Sequence, residues 1–333
     1  MPSELPKSTR EWIDKILTVN TVSFEALAIT AFEIQYHHNP IYAAFAKAVG
    51  KIPGKVTTLT NIPFLPVSFF KTHLVTTSQY NPSLYFESSG TTGMQNSRHA
   101  VKDSALYEAS FLACFQQFYG NPEDWCIIGL LPAYLERQHS SLIYMVNILI
   151  NKSNNPASGF YLNEFDILNN LLQQQEAAGK KTLLLGVTFA LLDFAEQYPQ
   201  QLKHTIVMET GGMKGRREEW TRQQVHTFLQ QKLGTNSIHS EYGMTELLSQ
   251  GYSSGNGIFN TPSWLKILVR QDDDPLTVAA QGSGLINIID LANIYSCCFI
   301  ATDDVGTIHP NGCFEIAGRR DNSDLRGCSL LTA

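Results

Sequence analysis

Between residues 85 and 208, short apolar runs alternate with longer segments whose apolar residues recur at helical spacing. The runs have the length of buried strands, and the segments have the length of helices. Strands and helices that alternate along a chain form a sheet whose faces are covered by the helices. The sequence therefore predicts an α/β fold, with mixed or parallel sheets flanked by helices. The predicted strands are 125–131, 182–187 and 205–208, and the predicted helices are 104–119 and 164–178.

The regions on either side have different patterns. Apolar residues repeat at helical spacing from Phe24 to Ile34 and stop at Asn39 and Pro40, and a second short helix ends at Gly50. These helices predict a helical cap. Beyond residue 260, apolar runs are bounded by Gly, Asp and Asn, which predicts a smaller antiparallel β-rich part. Its predicted strands are 264–269, 285–290, 298–301 and 313–317.

No internal repeat and no long linker interrupts the chain, so we expect one domain over 1–333. Within it we expect the helical cap at 1–80, the α/β part at 81–235, and the β-rich part with a C-terminal cysteine segment at 236–333. Hydrophobic residues make up 43% of the chain, which is enough for a large core.

The charge of the chain narrows the class of ligand. Its net charge is −6 and it has no run of basic residues, which argues against binding to nucleic acid or an anionic membrane. No apolar stretch approaches the ~20 residues of a membrane span. We therefore expect a cytoplasmic protein without membrane insertion, acting on a small molecule.

The segment 88–93 alternates hydroxyl-bearing residues with glycines after a short apolar run. Glycines allow backbone N–H groups to converge on an anion, and hydroxyls add further donors. The segment is a candidate phosphate-binding loop, although a surface turn has the same composition. No lysine follows at the spacing of a P-loop. The candidate residues are Ser88, Ser89, Gly90, Thr91, Thr92 and Gly93.

Three later segments are each compatible with part of a nucleotide site. Gly211 and Gly212 follow a strand, where a backbone without side chains can approach a flat ring. The segment 240–246 offers an aromatic face, a hydroxyl and a carboxylate suited to Mg²⁺. Asp304 ends an apolar run, where a carboxylate can accept ribose hydroxyls. Each segment alone is also typical of an ordinary turn.

Taken in this order, the four segments resemble the motifs of adenylate-forming enzymes, the superfamily of acyl-CoA synthetases and related ligases, over roughly residues 69–331. The resemblance implies ATP and Mg²⁺ as cofactors, a C-terminal catalytic lobe that this chain lacks, and a role for several residues. By this resemblance Gly211 and Gly212 flank the adenine, and Tyr242 of the Tyr242-Gly243 pair stacks on it. Thr245 reaches the α-phosphate and Glu246 holds the metal. Asp304 and Arg319 bind the ribose, and His139 lies near the acyl carboxylate. For His139, a partly buried polar residue without function is the alternative.

The short chain and its ending at 324–331 resemble the LuxE-type acyl-protein synthetases. That resemblance implies transfer of a fatty acyl group to a cysteine near the C-terminus, a position that Cys328 matches. A small apolar residue in a final strand is the alternative reading of Cys328. Since the family's usual lysine-bearing lobe is absent, Lys214 or Arg98 is the available cation for adenylation.

The sequence thus predicts a ligase that activates a carboxylic acid, most simply a long-chain fatty acid, as acyl-AMP with release of pyrophosphate. Cys328 then takes the acyl group and passes it to a partner, an acyl-CoA reductase or another acyl-acceptor protein. Two alternatives stay open: an acid:CoA ligase similar to phenylacetate or acyl-CoA ligases, and a nucleotide-binding subunit without catalytic activity.

Overall fold

The computed structural model of the protein describes residues 4–88, 96–132, 137–211 and 220–320. The chain begins with three helices, α1 (Thr9–Thr18), α2 (Phe24–His38) and α3 (Pro40–Ala48). Asn39 ends α2 and caps α3, because its side chain accepts a hydrogen bond from the Tyr42 amide. Pro40 occupies the first turn of α3, where its missing N–H costs nothing. The predicted break at these two residues is confirmed, whereas α1 was not predicted.

Regular elements fill most of the rest of the described chain. The remaining helices are α4 (Phe69–Thr72), α5 (Ser104–Tyr119), α6 (Ser141–Lys152), α7 (Phe165–Ala177), α8 (Thr188–Gln197) and α9 (Arg222–Leu233). The first strands are β1 (Leu65–Pro66), β2 (Leu84–Glu87), β3 (Arg98–Val101), β4 (Cys126–Leu130), β5 (Gly159–Phe160), β6 (Thr182–Val187) and β7 (Thr205–Thr210). The later strands are β8 (Ile238–Tyr242), β9 (Gly251–Ser253), β10 (Leu265–Arg270), β11 (Val278–Ala279), β12 (Gly282–Asp290), β13 (Phe299–Ile308) and β14 (Phe314–Arg319).

The α/β layer is built on a six-stranded sheet with the order β5-β4-β6-β7-β8-β9. All of its pairs are parallel except β8 with β9. Every residue of β4 and β6 is buried, as expected for parallel strands covered by helices on both faces. The predicted α/β sheet is confirmed. Because the strands are parallel, the ends of β7 and β8 meet at one edge of the sheet.

The β-rich part forms a second sheet with the order β1-β13-β12-β10-β11, and β14 pairs with β13. Except for the parallel pair of β1 with β13, its strands are antiparallel, as predicted. The N-terminal helices cover the turn that follows β12. Trp12 Nε1 donates to the Leu291 carbonyl at 2.7 Å, and Gln35 donates to the carbonyls of Asn293 and Ile294.

Strands β2 and β3 pair as a hairpin, with the segment 89–95 between them in the chain. Its two ends are joined just outside that segment, because the Ser88 amide donates to the Ser97 carbonyl at 3.1 Å and the Ser97 amide donates to Ser88 Oγ at 2.9 Å. The hairpin therefore fixes both ends of the candidate phosphate loop. Among the described residues, no helix is long and apolar enough to span a bilayer.

Candidate active site

Three residues predicted for the site meet between the two sheets. Tyr242 ends β8, whereas Asp304 and Arg319 face each other as cross-strand partners on β13 and β14. The Tyr242 hydroxyl donates to Asp304 Oδ2 at 2.7 Å, and Arg319 Nε donates to Asp304 Oδ1 at 2.9 Å. Asp304 is only 4% exposed, so the ion pair with Arg319 balances a carboxylate that is otherwise removed from water. The structure thus brings these three residues together.

The ring of Tyr242 is held by aromatic neighbours as well as by its hydroxyl. It packs edge to face against Phe314 at a centroid distance of 5.5 Å, and Phe259 stacks on Phe314 at 5.3 Å. Burial, reinforced by the Asp304 carboxylate, raises the pKa of Tyr242 far above its usual range. The phenol therefore stays neutral and keeps the proton that it donates to Asp304.

Glu246 lies at the base of the candidate phosphate loop. Glu246 is 5% exposed, and its carboxylate accepts a hydrogen bond from the side chain of Ser97, which stands just after the loop. Burial raises the pKa of Glu246, whereas the Ser97 hydrogen bond and the charges of Arg319 and Lys71 lower it. A carboxylate beside Ser97, at the end of the loop, is an oxygen ligand of the kind that a divalent ion such as Mg²⁺ prefers.

The turn that carries Thr245 and Glu246 is fastened by two residues that the sequence did not reveal. His99 Nδ1 donates to the Thr245 carbonyl at 2.9 Å, and Asn293 Nδ2 donates to the Glu246 carbonyl at 2.7 Å. His99 Nε2 also lies 3.0 Å from Asn293 Oδ1. Burial lowers the pKa of His99 to about 4, despite both hydrogen bonds. Neither His99 nor Asn293 stands in one of the motif segments, so no sequence signal marked them.

Gly211 closes β7 with a left-handed φ of 75°, which favours glycine. A Cβ built at Gly211 meets no atom of the described residues within 4 Å. Its carbonyl accepts a 3.0 Å hydrogen bond from Thr188 Oγ1, which fixes the turn. The position of Gly211 at the strand edge, close to the end of β8, is compatible with the predicted nucleobase contact.

Behind Gly211 lies a second polar cluster that sequence reasoning missed. Glu209 accepts hydrogen bonds from Ser240 Oγ at 2.6 Å and from Thr188 Oγ1 at 3.2 Å. Arg222 Nε lies 3.7 Å from the same carboxylate, and its guanidinium donates to the Ile316 carbonyl at 2.8 Å. Arg222 therefore links the end of β7 to β14, three residues before Arg319. These contacts stabilise the position of β7, which leads to Gly211, relative to β14, which carries Arg319.

His139 and Arg98 lie beside the strands that frame the loop. His139 is exposed, its Nδ1 lies 3.3 Å from the Tyr85 carbonyl, and its own carbonyl accepts from the Glu87 amide at 2.8 Å. Arg98 covers the ring of Tyr85 at 3.9 Å and lies 3.6 Å from Glu87. Arg98 is thus already engaged with its own hairpin.

A comparison with known protein families identifies the family of this chain. The family described as "Acyl-protein synthetase, LuxE" matches residues 20–333 of the chain. This chain is a member of the LuxE acyl-protein synthetase family. As an acyl-protein synthetase it is a ligase, which confirms the predicted enzyme class.

A curated relative and two solved structures are similar to this LuxE family member. The relative is the long-chain-fatty-acid–luciferin-component ligase of Vibrio harveyi, 23% identical over 328 residues that cover 90% of this chain and 84% of the relative. The ATP-bound crystal structure of MatB from Rhodopseudomonas palustris has a TM-score of 0.53 at 17% identity, covering 71% of this chain and 47% of that one. O-succinylbenzoate coenzyme A synthetase (MenE) from Bacillus subtilis, in complex with AMP, has a TM-score of 0.51 at 15% identity, covering 72% and 50%.

The likeness to the solved structures confirms the predicted fold class, that of an adenylate-forming enzyme domain, while this chain spans about half of their length. Several predicted site residues of the LuxE family member lie outside the described part of the chain, so their roles stay predictions. They are Ser89, Gly90, Thr91, Thr92, Gly93, Gly212, Lys214 and Cys328. Among the described candidates, the loop ends and the edge of the parallel sheet contribute Ser88, Gly211, Tyr242, Gly243, Thr245 and Glu246. The second sheet contributes Asp304 and Arg319.

Proposed function

We propose that this acyl-protein synthetase uses ATP and Mg²⁺ to convert a long-chain fatty acid to its acyl-adenylate and then transfers the acyl group to Cys328. Membership of the LuxE family supports an acyl-protein product. The name of the Vibrio harveyi relative supports a long-chain fatty acid as the substrate. The crystal structures with ATP and AMP bound support the nucleotide, through the shared fold.

The observation that carries the proposal is the meeting of Tyr242, Asp304 and Arg319 next to the loop ends. The Tyr242 ring offers a face for the adenine. From the described residues each Asp304 oxygen accepts one hydrogen bond, and a carboxylate oxygen has a second lone pair for a ribose hydroxyl. The site can therefore bind a nucleoside without breaking the contacts that hold it together.

The donor set also fits a magnesium ion. Glu246 would hold the ion, because its carboxylate is an oxygen ligand at the base of the loop and Ser97 fixes its orientation. When bound, Mg²⁺ would neutralise phosphate charge during the displacement. The hydroxyls and amides of the 88–93 loop would hold the remaining phosphate oxygens.

In the first step a carboxylate oxygen of the fatty acid attacks the α-phosphorus of ATP. The bond from that phosphorus to the bridging oxygen breaks, and its electron pair leaves with pyrophosphate. In the second step the Cys328 thiolate, its proton released to solvent, attacks the acyl carbon. The carbon–oxygen bond to AMP breaks and AMP leaves, so a thioester remains on the protein. A reductase or another acyl-acceptor protein then takes the acyl group from the thioester.

The test is the intact mass of the protein after incubation with ATP, Mg²⁺ and a mixture of fatty acids, before and after hydroxylamine. We expect one acyl adduct that hydroxylamine removes, and its mass identifies the preferred chain. Cys328→Ser should lose the adduct and still release pyrophosphate, whereas Cys313→Ser, which alters a half-exposed cysteine, should behave like the wild type.

Two other outcomes would replace the proposal. Free acyl-CoA formed by the Cys328→Ser protein when CoA is added would identify an acid:CoA ligase. ATP binding without pyrophosphate release for any acid would identify a nucleotide-binding subunit without catalytic activity.

A further inference from the structure

The short helix α4 lies next to the site. It follows β1, which runs parallel to β13 with Leu65 opposite Ile300 and Pro66 opposite Ala301. The Val67 amide continues this pairing by donating to the Ala301 carbonyl at 2.9 Å. Since both strands run in the same direction, α4 begins beside the stretch of β13 that leads to Asp304.

Packing fixes α4 against the hairpin that leaves the phosphate loop. Phe70 is 1% exposed and meets the His99 ring edge to face at 5.8 Å. His99 in turn holds the Thr245 carbonyl. Lys71, the next residue after Phe70, is therefore anchored beside the turn that carries Glu246.

The packing of Phe70 on His99, which bonds to Thr245, places Lys71 beside the Glu246 turn, and the lowering of the Glu246 pKa by the charge of Lys71 agrees with this placement. Lys71 is half-exposed, and its side chain forms no ion pair or hydrogen bond with another residue in the described ranges, although its backbone amide donates to the Ser68 carbonyl. Its neighbours differ in this respect, because Arg98 pairs with Glu87 and Arg319 pairs with Asp304. A cation that is held near a carboxylate, yet is not paired with it, remains available for a second anion.

We propose that Lys71 binds the pyrophosphate part of ATP and stabilises it as it leaves. The inference rests on the proposed adenylation. The sequence suggested Lys214 or Arg98 as the cation for adenylation, whereas this inference assigns that role to Lys71, which precedes the phosphate loop. As the bond between the α-phosphorus and the bridging oxygen breaks, its electron pair remains on pyrophosphate. Lys71 donates hydrogen bonds to that leaving group and keeps its proton, so its charge offsets the charge that develops.

The two half-reactions separate this role from a structural one. Lys71→Ala should lower kcat for pyrophosphate release by about 100-fold, the scale typical of losing one electrostatic stabiliser. Transfer of the acyl group from chemically prepared acyl-adenylate to the protein should stay within about twofold of wild type, since pyrophosphate takes no part in it. Lys71→Arg should recover part of the lost rate. The matched control is Lys55→Ala, because Lys55 is exposed and lies on the same N-terminal part of the chain.

Calorimetry with inorganic pyrophosphate tests the binding role without catalysis. Weaker binding to Lys71→Ala than to Lys55→Ala supports the inference, and equal affinities overturn it. An unchanged rate of pyrophosphate release by Lys71→Ala, or an equal loss in both half-reactions, also overturns it. If the wild type binds pyrophosphate through Lys71 but releases none from ATP with any acid, the proposed function fails and the Lys71 site stands.

Discussion

The Tyr242 hydroxyl donates a 2.7 Å hydrogen bond to Asp304, although the two residues are 62 positions apart and belong to different sheets. Tyr242 ends a strand of the parallel sheet, and Asp304 lies in the antiparallel sheet. The bond therefore depends on how the two sheets pack. It makes the candidate nucleotide site a junction between them, so a change at either residue should affect both the site and the packing.

Asp304→Asn should weaken ATP binding by about 10-fold or more, since it removes the charge that orients Arg319 and a charge-assisted hydrogen bond is worth about 1.5–3 kcal/mol. The KM for ATP and direct nucleotide binding measure the effect. Asp272→Asn is the control, because Asp272 forms an exposed ion pair with Arg320 nearby. Unchanged ATP affinity in Asp304→Asn would contradict a ribose-binding role.

His99→Ala should destabilise the protein by about 1–3 kcal/mol, since it removes a fully buried ring and leaves the half-buried Thr245 carbonyl without its donor. It should also raise the Mg²⁺ concentration needed for half-maximal pyrophosphate release, because the turn that carries Glu246 loses one of its two fastenings. Urea unfolding and a Mg²⁺ titration measure the two effects. His309→Ala, at an exposed histidine paired with Glu315, should change neither.

Gly306→Ala should destabilise the junction by about 1–3 kcal/mol, the usual cost of overpacking. A Cβ at Gly306 would lie 2.2 Å from the backbone carbonyl oxygen of Glu315 on β14, so β14 must move, and Arg319 with it. Both the melting temperature and the affinity for ATP should fall. Gly318→Ala is the matched control on β14, because a Cβ there meets no atom within 4 Å in the part of the chain that the structure describes. Equal behaviour of the two variants would show that this close approach is unimportant.

Glu241→Gln should change how stability depends on pH. Glu241 is buried with Thr210 Oγ1 donating to it at 2.5 Å, and burial raises its pKa from 4.5 to about 7. Because the folded pKa is above the unfolded one, the wild type should lose stability as the pH rises from 4.5 to about 7 and no more beyond that. The loss is up to about 3 kcal/mol, since one pKa unit corresponds to about 1.4 kcal/mol.

A glutamine at position 241 resembles the protonated acid and does not titrate. Urea unfolding at pH 5 and pH 8 should therefore show similar stabilities for the two proteins at pH 5 and a more stable variant at pH 8. Glu315→Gln, at an exposed carboxylate, controls for the loss of one surface charge. A stability difference that is independent of pH would contradict the raised pKa.

The sequence by itself was sufficient for the elements whose signal is local. The helix at 104–119 and the strand at 182–187 have the predicted bounds, because apolar spacing directly reflects which side of an element is buried. The helix α1 was missed, although Ser8 caps it and Trp12 is fully buried. Its signal was present, because Trp12, Ile13, Ile16 and Leu17 stand at helical spacing, and packing of Trp12 against the turn after β12 adds to its stability.

The motif residues Tyr242, Asp304 and Arg319 could also be predicted from the sequence, since each stands in a short recognisable segment. Their contact could not, and neither could the roles of His99 and Asn293, which bond to the Glu246 turn across 146 and 47 positions. Such partners are chosen by how the hairpin, the two sheets and the cap pack together, because a hydrogen bond across that distance leaves no periodic trace in the chain. The sequence by itself determined which residues are candidates for the site, and tertiary packing decided which of them meet.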